Sequence, residues 1–267
     1  MNLTLRESDL LLLSDLNLVD FWCQSAKWVP HPEIVHKDDS VFINSVMEFP
    51  ACSFMYNLSH RNDESPGAFL ERAKTFFKNR KKAFSLQLRA HVDRDIISHC
   101  KEANMFLVGE SPGMVLDEPV TLSAPPEEAT IQWVDDEKGL ADFMTVVMEA
   151  YQDLAFPEDV SERYFMLHDR VLAPHVILCV VYHKGHPASA AMAMLSHGIA
   201  GLYWVGTRKE ARGLGLARCC VEAVGNMAFD MGARKVVLQA SRFGKPVYLK
   251  IGYREFTRYP WFICSSS

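Results

Sequence analysis

Three apolar, β-rich runs, His175–Tyr182, Ala188–Ser196 and Ile199–Gly206, follow one another with only His183–Pro187 and His197–Gly198 between them. Connections this short cannot carry a crossover, so the runs must pair antiparallel as a meander. Before the meander, Thr130–Val134 reads as a short strand, and helices are expected at Asp136–Tyr151 and Pro157–Asp169. After it come a helix at Leu216–Met231, a strand at Lys235–Ala240, a short helix at Pro246–Ile251 and an extended stretch at Glu255–Ile263. The order β α α β β β α β α β is that of an α+β, layered domain in which helices cover a mixed, largely antiparallel sheet.

That domain uses only half of the 267 residues, and the chain is long enough for two. The clearest break is Asp117–Ala129, where three prolines, several acids and no apolar periodicity indicate a linker or a long surface loop. We therefore expect a first lobe over residues 1–117, a linker over 118–129 and a second lobe over 130–267. The first lobe reads as a helix at Leu5–Trp28, a strand at Ala51–Ser59, a helix at Pro66–Lys78, a strand at Ala83–Ala90, a helix at Arg94–Ala103 and an extended Met105–Leu116. No repeat is visible by letter identity.

Charge and cysteine usage narrow the partners. The net charge of −5 is unevenly spread: −3 over residues 1–117, −11 over 118–169 and +9 over 170–267. The basic C-terminal stretch suits an anionic ligand, but no basic run interleaved with aromatics supports nucleic-acid binding; Arg80, Lys81 and Lys82 read as helix-end chemistry. The longest apolar runs fall well short of the roughly 20 residues that span a bilayer, and no signal peptide is evident, so no membrane partner is expected. Seven cysteines without C-x-x-C or zinc-like spacing read as reduced, packed thiols of a cytoplasmic protein, and no metal site is expected.

The segment that carries chemistry is Leu202–Ala217, LYWVGTRKEARGLGLA: a strand, a basic glycine-containing turn, then an apolar helix. Glycine lets a backbone approach a phosphate closely, and the following helix contributes unpaired amides and the positive end of its dipole. Arg208, Lys209, Arg212 and Arg218 add charge around the turn. A Walker loop would need Gly-Lys-Ser/Thr, which is missing. A dinucleotide fingerprint would need Gly or Ala where Arg218 stands and a ribose-binding acid about twenty residues on.

Arg212-Gly213-Leu214-Gly215-Leu216-Ala217, following Val205-Gly206-Thr207, resembles the acetyl-coenzyme A motif of the GNAT superfamily of N-acetyltransferases. Downstream, Val247-Tyr248-Leu249-Lys250-Ile251-Gly252-Tyr253 resembles the family's Leu-Tyr-x-x-x-Gly-Phe/Tyr ending. The resemblance covers residues 130–267 and implies an acyl-coenzyme A N-acyltransferase-like sheet, with residues 1–117 either a degenerate copy of that fold or an unrelated α+β lobe. It implies acetyl-coenzyme A as donor, coenzyme A as product and no metal. The donor would be held at Val205, Thr207, Arg212, Gly213, Leu214, Gly215, Leu216, Ala217 and Ser241. Many members have Asn where Ser241 stands and Ala where Gly244 stands; a serine hydroxyl can still donate to the pantetheine arm.

By the same resemblance the backbone amide near Val205 polarises the acetyl carbonyl, and Tyr248 supplies a proton to the departing thiolate. Gly206 inside the strand suits a bulge or a close backbone approach. For the base that deprotonates the amine, Glu149, Tyr151, His197 and Tyr203 are candidates, with His197 favoured by residue type. The acidic helices before the meander suggest steering of a cationic small-molecule or peptide amine. In the first lobe, His60–Gly67 carries two acids and no Gly-x-Gly, so that lobe is not expected to bind coenzyme A. The expected reaction is direct transfer of acetyl to a primary amine in a ternary complex; the alternative is a non-catalytic acyl-coenzyme A sensor or scaffold.

Overall fold

A computed structural model describes residues 5–59, 64–157, 160 and 163–264. The elements are α1 (Glu7–Ala26), β1 (Glu33–Lys37), β2 (Ser40–Asn44), β3 (Phe54–Asn57), α2 (Pro66–Lys78), β4 (Phe84–Gln87), α3 (Arg94–Glu102) and β5 (Phe106–Leu116) in the first half. The second half contains β6 (Ala129–Trp133), α4 (Glu137–Gln152), α5 (His168–Val171), β7 (Val176–His183), β8 (His186–Ser196), β9 (Ile199–Thr207), α6 (Leu216–Asp230), β10 (Val236–Gln239), α7 (Lys245–Ile251) and β11 (Arg254–Cys264). Local chemistry sets the helix starts: Asp136 caps α4 by accepting from the Gly139 amide at 2.7 Å, and Ser65 caps α2 with Pro66 in its first turn.

The strands form one sheet in the order β1-β2-β3-β4-β11-β5-β10-β9-β8-β7-β6. Neighbours pair antiparallel except β3 with β4 and β9 with β10. Each half thus has an antiparallel run ending in one parallel pair, a repeat of architecture that the letters hide. The halves also trade their last strands. β5 lies between β10 and β11, with Val236 opposite Leu116, and β11 lies between β5 and β4, with Phe262 opposite Leu86. Neither half closes its sheet alone.

Residues 120 and 123, within the expected linker, are bonded to α6. Val120 and Asn226 exchange hydrogen bonds of 2.9 and 2.7 Å, and Ser123 donates through its amide and hydroxyl to the buried Glu222 carboxylate of α6. Alternate residues of β7 go to opposite faces: Leu178 and Val180 join α1 and α4, whereas Ile177, Cys179 and Val181 join α6 and α7. A third cluster, with Phe42, Phe69, Phe77 and Leu86, fills the first half.

Several boundaries differ from expectation. β1 and β2 were not anticipated. They join through Asp38 and Asp39, both at positive φ, which gives a two-residue hairpin of the primed type. Ala51 and Cys52 belong to a 3-10 turn rather than to a strand, which begins only at Phe54. The helix expected over Pro157–Asp169 falls partly outside the described residues, and α5 starts near its end, at His168.

Candidate functional site

β9 and β10 pair in parallel only as far as Leu202 and Leu238, and beyond that point their C-terminal ends separate. A cleft of about 590 Å3 opens there, between the last turn of α4, the end of β9, the start of α6 and α7. Its wall includes Val205, Thr207, Arg212, Gly213, Gly215, Leu216, Ala217, Ser241 and Tyr248. Sequence reasoning named all of these. Leu214 is half exposed and is not among the residues that line the cleft.

The turn into α6 has a backbone that suits an anion. Gly213 and Gly215 have φ of 80° and 82°, values at which a side chain would be strained, and Gly215 is the N-cap of α6 with no side chain closing the helix. The first amides of a fifteen-residue helix are therefore left to a ligand. A methyl on Gly213 would meet nothing within 4 Å. Its glycine is required by backbone conformation, and the space in front of it is open.

The surrounding arginines are more occupied than their sequence suggests. Arg208 bonds Glu149 at 2.7 Å and Glu210 at 3.1 Å, Arg212 pairs with Asp153, and Arg218 bonds Glu222 at 2.5 Å. The same pairs consume the acids on α4 nearest the cleft, and Asp142 accepts from the Tyr182 hydroxyl. No free acidic wall faces the cleft among the described residues, so the steering of a cation finds no support there; Glu158, Asp159 and Glu162 lie outside them.

At the closed end of the cleft the strand is bulged. The register of β8 against β9 shifts between Ala190 and Met192, and Trp204 takes φ of 47°. Two consecutive side chains, Tyr203 and Trp204, consequently enter the same core on the α1 and α4 face. The bulge sits two residues before Gly206. That glycine instead serves close approach: a Cβ there would lie 2.7 Å from the Ala150 Cβ of α4.

Tyr248, on α7, is 7% exposed, and its ring lies over Gly244, where a Cβ would meet Cε2 at 2.7 Å. Burial pushes its phenol well up, with lesser contributions from Tyr151 and Tyr253. Ser241 Oγ accepts from the Gly244 amide at 3.1 Å, which leaves its O–H free to donate. Thr207 shares a hydrogen bond with Ser189 at 2.8 Å.

The candidate bases do not converge. His197 occupies the β8–β9 turn, at the opposite end of β9 from Val205, where its Nε2 lies 2.8 Å from Asp20. The length of β9 separates it from the cleft. Tyr203 donates to Asn17 at 2.7 Å and stacks on Phe21 with 3.7 Å between centroids. For Glu149 partial burial works upward, but the Arg208 hydrogen bond and the Lys209 amide outweigh it and hold the carboxylate below its usual range. Tyr151 does line the cleft, but burial keeps it a neutral phenol, which is no base.

In the first half, the segment after β4 carries a buried polar network. Arg89 is fully buried there and donates to Asp93 at 2.9 Å, to Asp15 at 3.3 Å and to the Ser59 carbonyl at 2.6 Å. Asn57, ending β3, donates to Asp93 at 3.0 Å. Single-letter reading missed this network, because its members come from α1, β3 and the segment after β4.

Comparison with known proteins agrees with this architecture. Residues 125–242 match the family described as acetyltransferase (GNAT) domain. No curated protein is similar to the chain in sequence. Among solved structures, a GCN5-related N-acetyltransferase from Kribbella flavida is 17% identical, with 94% of each chain covered and a TM-score of 0.73. A GCN5-related N-acetyltransferase from Sphaerobacter thermophilus is 18% identical, covering 85% of this chain and 77% of its own, with a TM-score of 0.66. A tandem GNAT protein from the clavulanic acid biosynthesis pathway is 11% identical over 96% and 94%, with a TM-score of 0.64. Residues 125–242 are thus similar to the acetyltransferase (GNAT) domain, and the fold of nearly the whole chain is like that of GNAT structures, a tandem GNAT protein among them.

Proposed function

We propose that the chain is an N-acetyltransferase that moves an acetyl group from acetyl-coenzyme A to a primary amine of a small molecule or peptide, by direct attack in a ternary complex. The observation that carries this reading is the single cleft joining the uncapped start of α6, the Val205 backbone at the bulge and the Tyr248 phenol. The donor, when bound, supplies the activated thioester; the remaining work falls to the chain.

The amides of residues 213–217 receive the diphosphate, and Ser241 donates to the pantetheine arm. The Val205 amide stabilises negative charge growing on the acetyl oxygen. Tyr248 acts at the departing sulfur. A phenol near ~10 is already a weaker acid than a thiol near ~8.5, and burial pushes Tyr248 further up. Complete proton transfer to sulfur is therefore uphill, and Tyr248 stabilises the thiolate as a hydrogen-bond donor while solvent returns the proton. The first lobe takes no donor in this reading: Ser65 and Pro66 close the start of α2, and the segment after β4 carries the buried Arg89.

One observation favours the alternative, a non-catalytic acyl-coenzyme A sensor: none of the four candidate bases is an available base at the cleft. Release of coenzyme A across a panel of amines separates the two. Amine-dependent release supports the enzyme. Tight binding of acetyl-coenzyme A with no turnover on any amine overturns it in favour of the sensor.

A further inference from the structure

We infer that the Tyr151 hydroxyl is a second hydrogen-bond donor to the acyl carbonyl, paired with the Val205 amide across the closed end of the cleft. This rests on the proposed reading of the cleft as an acetyl-coenzyme A site, and it moves Tyr151 from candidate base to catalytic donor.

The placement starts at Gly206. Because β9 carries no side chain there, Ala150 of α4 comes into contact with the strand. Tyr151, the next residue on the helix, then stands opposite Val205, and both line the cleft. The bulge at Trp204 swings the indole onto the same face, where it packs on the Tyr151 ring at 4.7 Å between centroids and fixes its position. The Val205 backbone is the one influence that works against the rise in the Tyr151 pKa. Tyr151 and Tyr248 both line the cleft, and Tyr151 adds to the upward shift of the Tyr248 phenol.

A carbonyl oxygen that takes up the Val205 amide must therefore arrive beside the Tyr151 O–H. Among the described residues no protein acceptor is recorded for that O–H, and burial keeps its proton in place. As charge grows on the acetyl oxygen, two donors from opposite walls share it, one from the strand and one from the helix.

Isotope-edited infrared spectroscopy of carbonyl-labelled acetyl-coenzyme A on the full chain tests this without an acceptor. The thioester band should fall in frequency on binding to the parent. In Tyr151→Phe it should return part of the way towards free acetyl-coenzyme A, with coenzyme A affinity and melting temperature unchanged. Replacing Tyr151 with 3,5-difluorotyrosine, a stronger donor, should lower the band further, a shift that a purely structural ring would not produce. Where an acceptor is turned over, Tyr151→Phe should lower kcat by roughly 10²–10³-fold at constant KM, the range seen when one oxyanion donor is removed. A band that neither replacement moves overturns the inference. Failure of the parent to bind acetyl-coenzyme A instead removes the cofactor reading, and shows before any variant is measured.

Discussion

Arg212, the first residue of the glycine turn, is ion-paired with Asp153, the residue that ends α4, across the mouth of the cleft. The same guanidinium donates to the Thr207 carbonyl at 3.1 Å. On the proposed reading, an incoming diphosphate competes with this acid for Arg212. Both side chains are close to half exposed, 41% and 47%, so the pair contributes no more than about 1 kcal/mol. Asp153→Asn should tighten coenzyme A binding by up to about fivefold, the equivalent of that energy. Arg212→Ala should weaken it by roughly 10- to 100-fold, as expected for a lost charge-assisted hydrogen bond. Calorimetric titration at fixed salt measures both; weaker binding in Asp153→Asn would show that the carboxylate supports the site.

The three glycines of this region should respond to alanine for different reasons. At Gly213 and Gly215 there is room for a methyl, but the left-handed backbone costs about 1–2 kcal/mol per residue. Relief of that strain would distort the turn, so coenzyme A affinity should fall with only a modest loss of stability. At Gly206 the methyl collides with Ala150, and overpacking of this kind costs roughly 1–3 kcal/mol. Thermal unfolding alongside coenzyme A titration separates the patterns, and equal losses of stability and affinity at all three positions would refute the distinction.

Legibility in the sequence followed the range of the interactions. The cleft wall on β9, α6 and α7 could be read because the glycines at 213 and 215 and the tyrosine at 248 lie in short local patterns of the chain. The meander was visible because its turns are short, two residues each between β7 and β8 and between β8 and β9. The exchange of β5 and β11 was not, since pairing Val236 with Leu116 joins residues more than a hundred positions apart and leaves no local mark. The first hairpin had a local mark, Asp38-Asp39 between short strands, that a stricter search for primed turns would have caught. His197 looked suitable by residue type, and only the direction of β9 shows that it stands at the wrong end.

His197→Ala should therefore leave turnover within twofold. Its partner Asp20 is a partly exposed carboxylate, and pairs of this kind contribute about 1 kcal/mol or less. Initial rates with saturating acetyl-coenzyme A decide the matter; a collapse in kcat with an intact melting temperature would return the imidazole to the chemistry.

Asp117 links the exchanged strands, and it gives the acid limb of stability a defined sign. It follows β5 directly and reaches Lys235 at 2.8 Å, just before β10, and Arg254 at 2.8 Å, the first residue of β11. Partial burial raises its pKa, but the hydrogen bonds from Arg254 and Lys235 more than offset this and leave it below the ordinary 3.8. A carboxylate depressed in the folded state stabilises the fold above its unfolded value, and that contribution is lost as pH falls through the lower folded value. Below about pH 4 the parent should lose melting temperature more steeply than Asp117→Asn, whose side chain does not titrate. Near neutral pH the variant should melt lower than the parent, because Lys235 and Arg254 lose their shared anion at the point where the halves interlock. Parallel acid limbs for the two proteins would show that Asp117 is not what couples the strand exchange to pH.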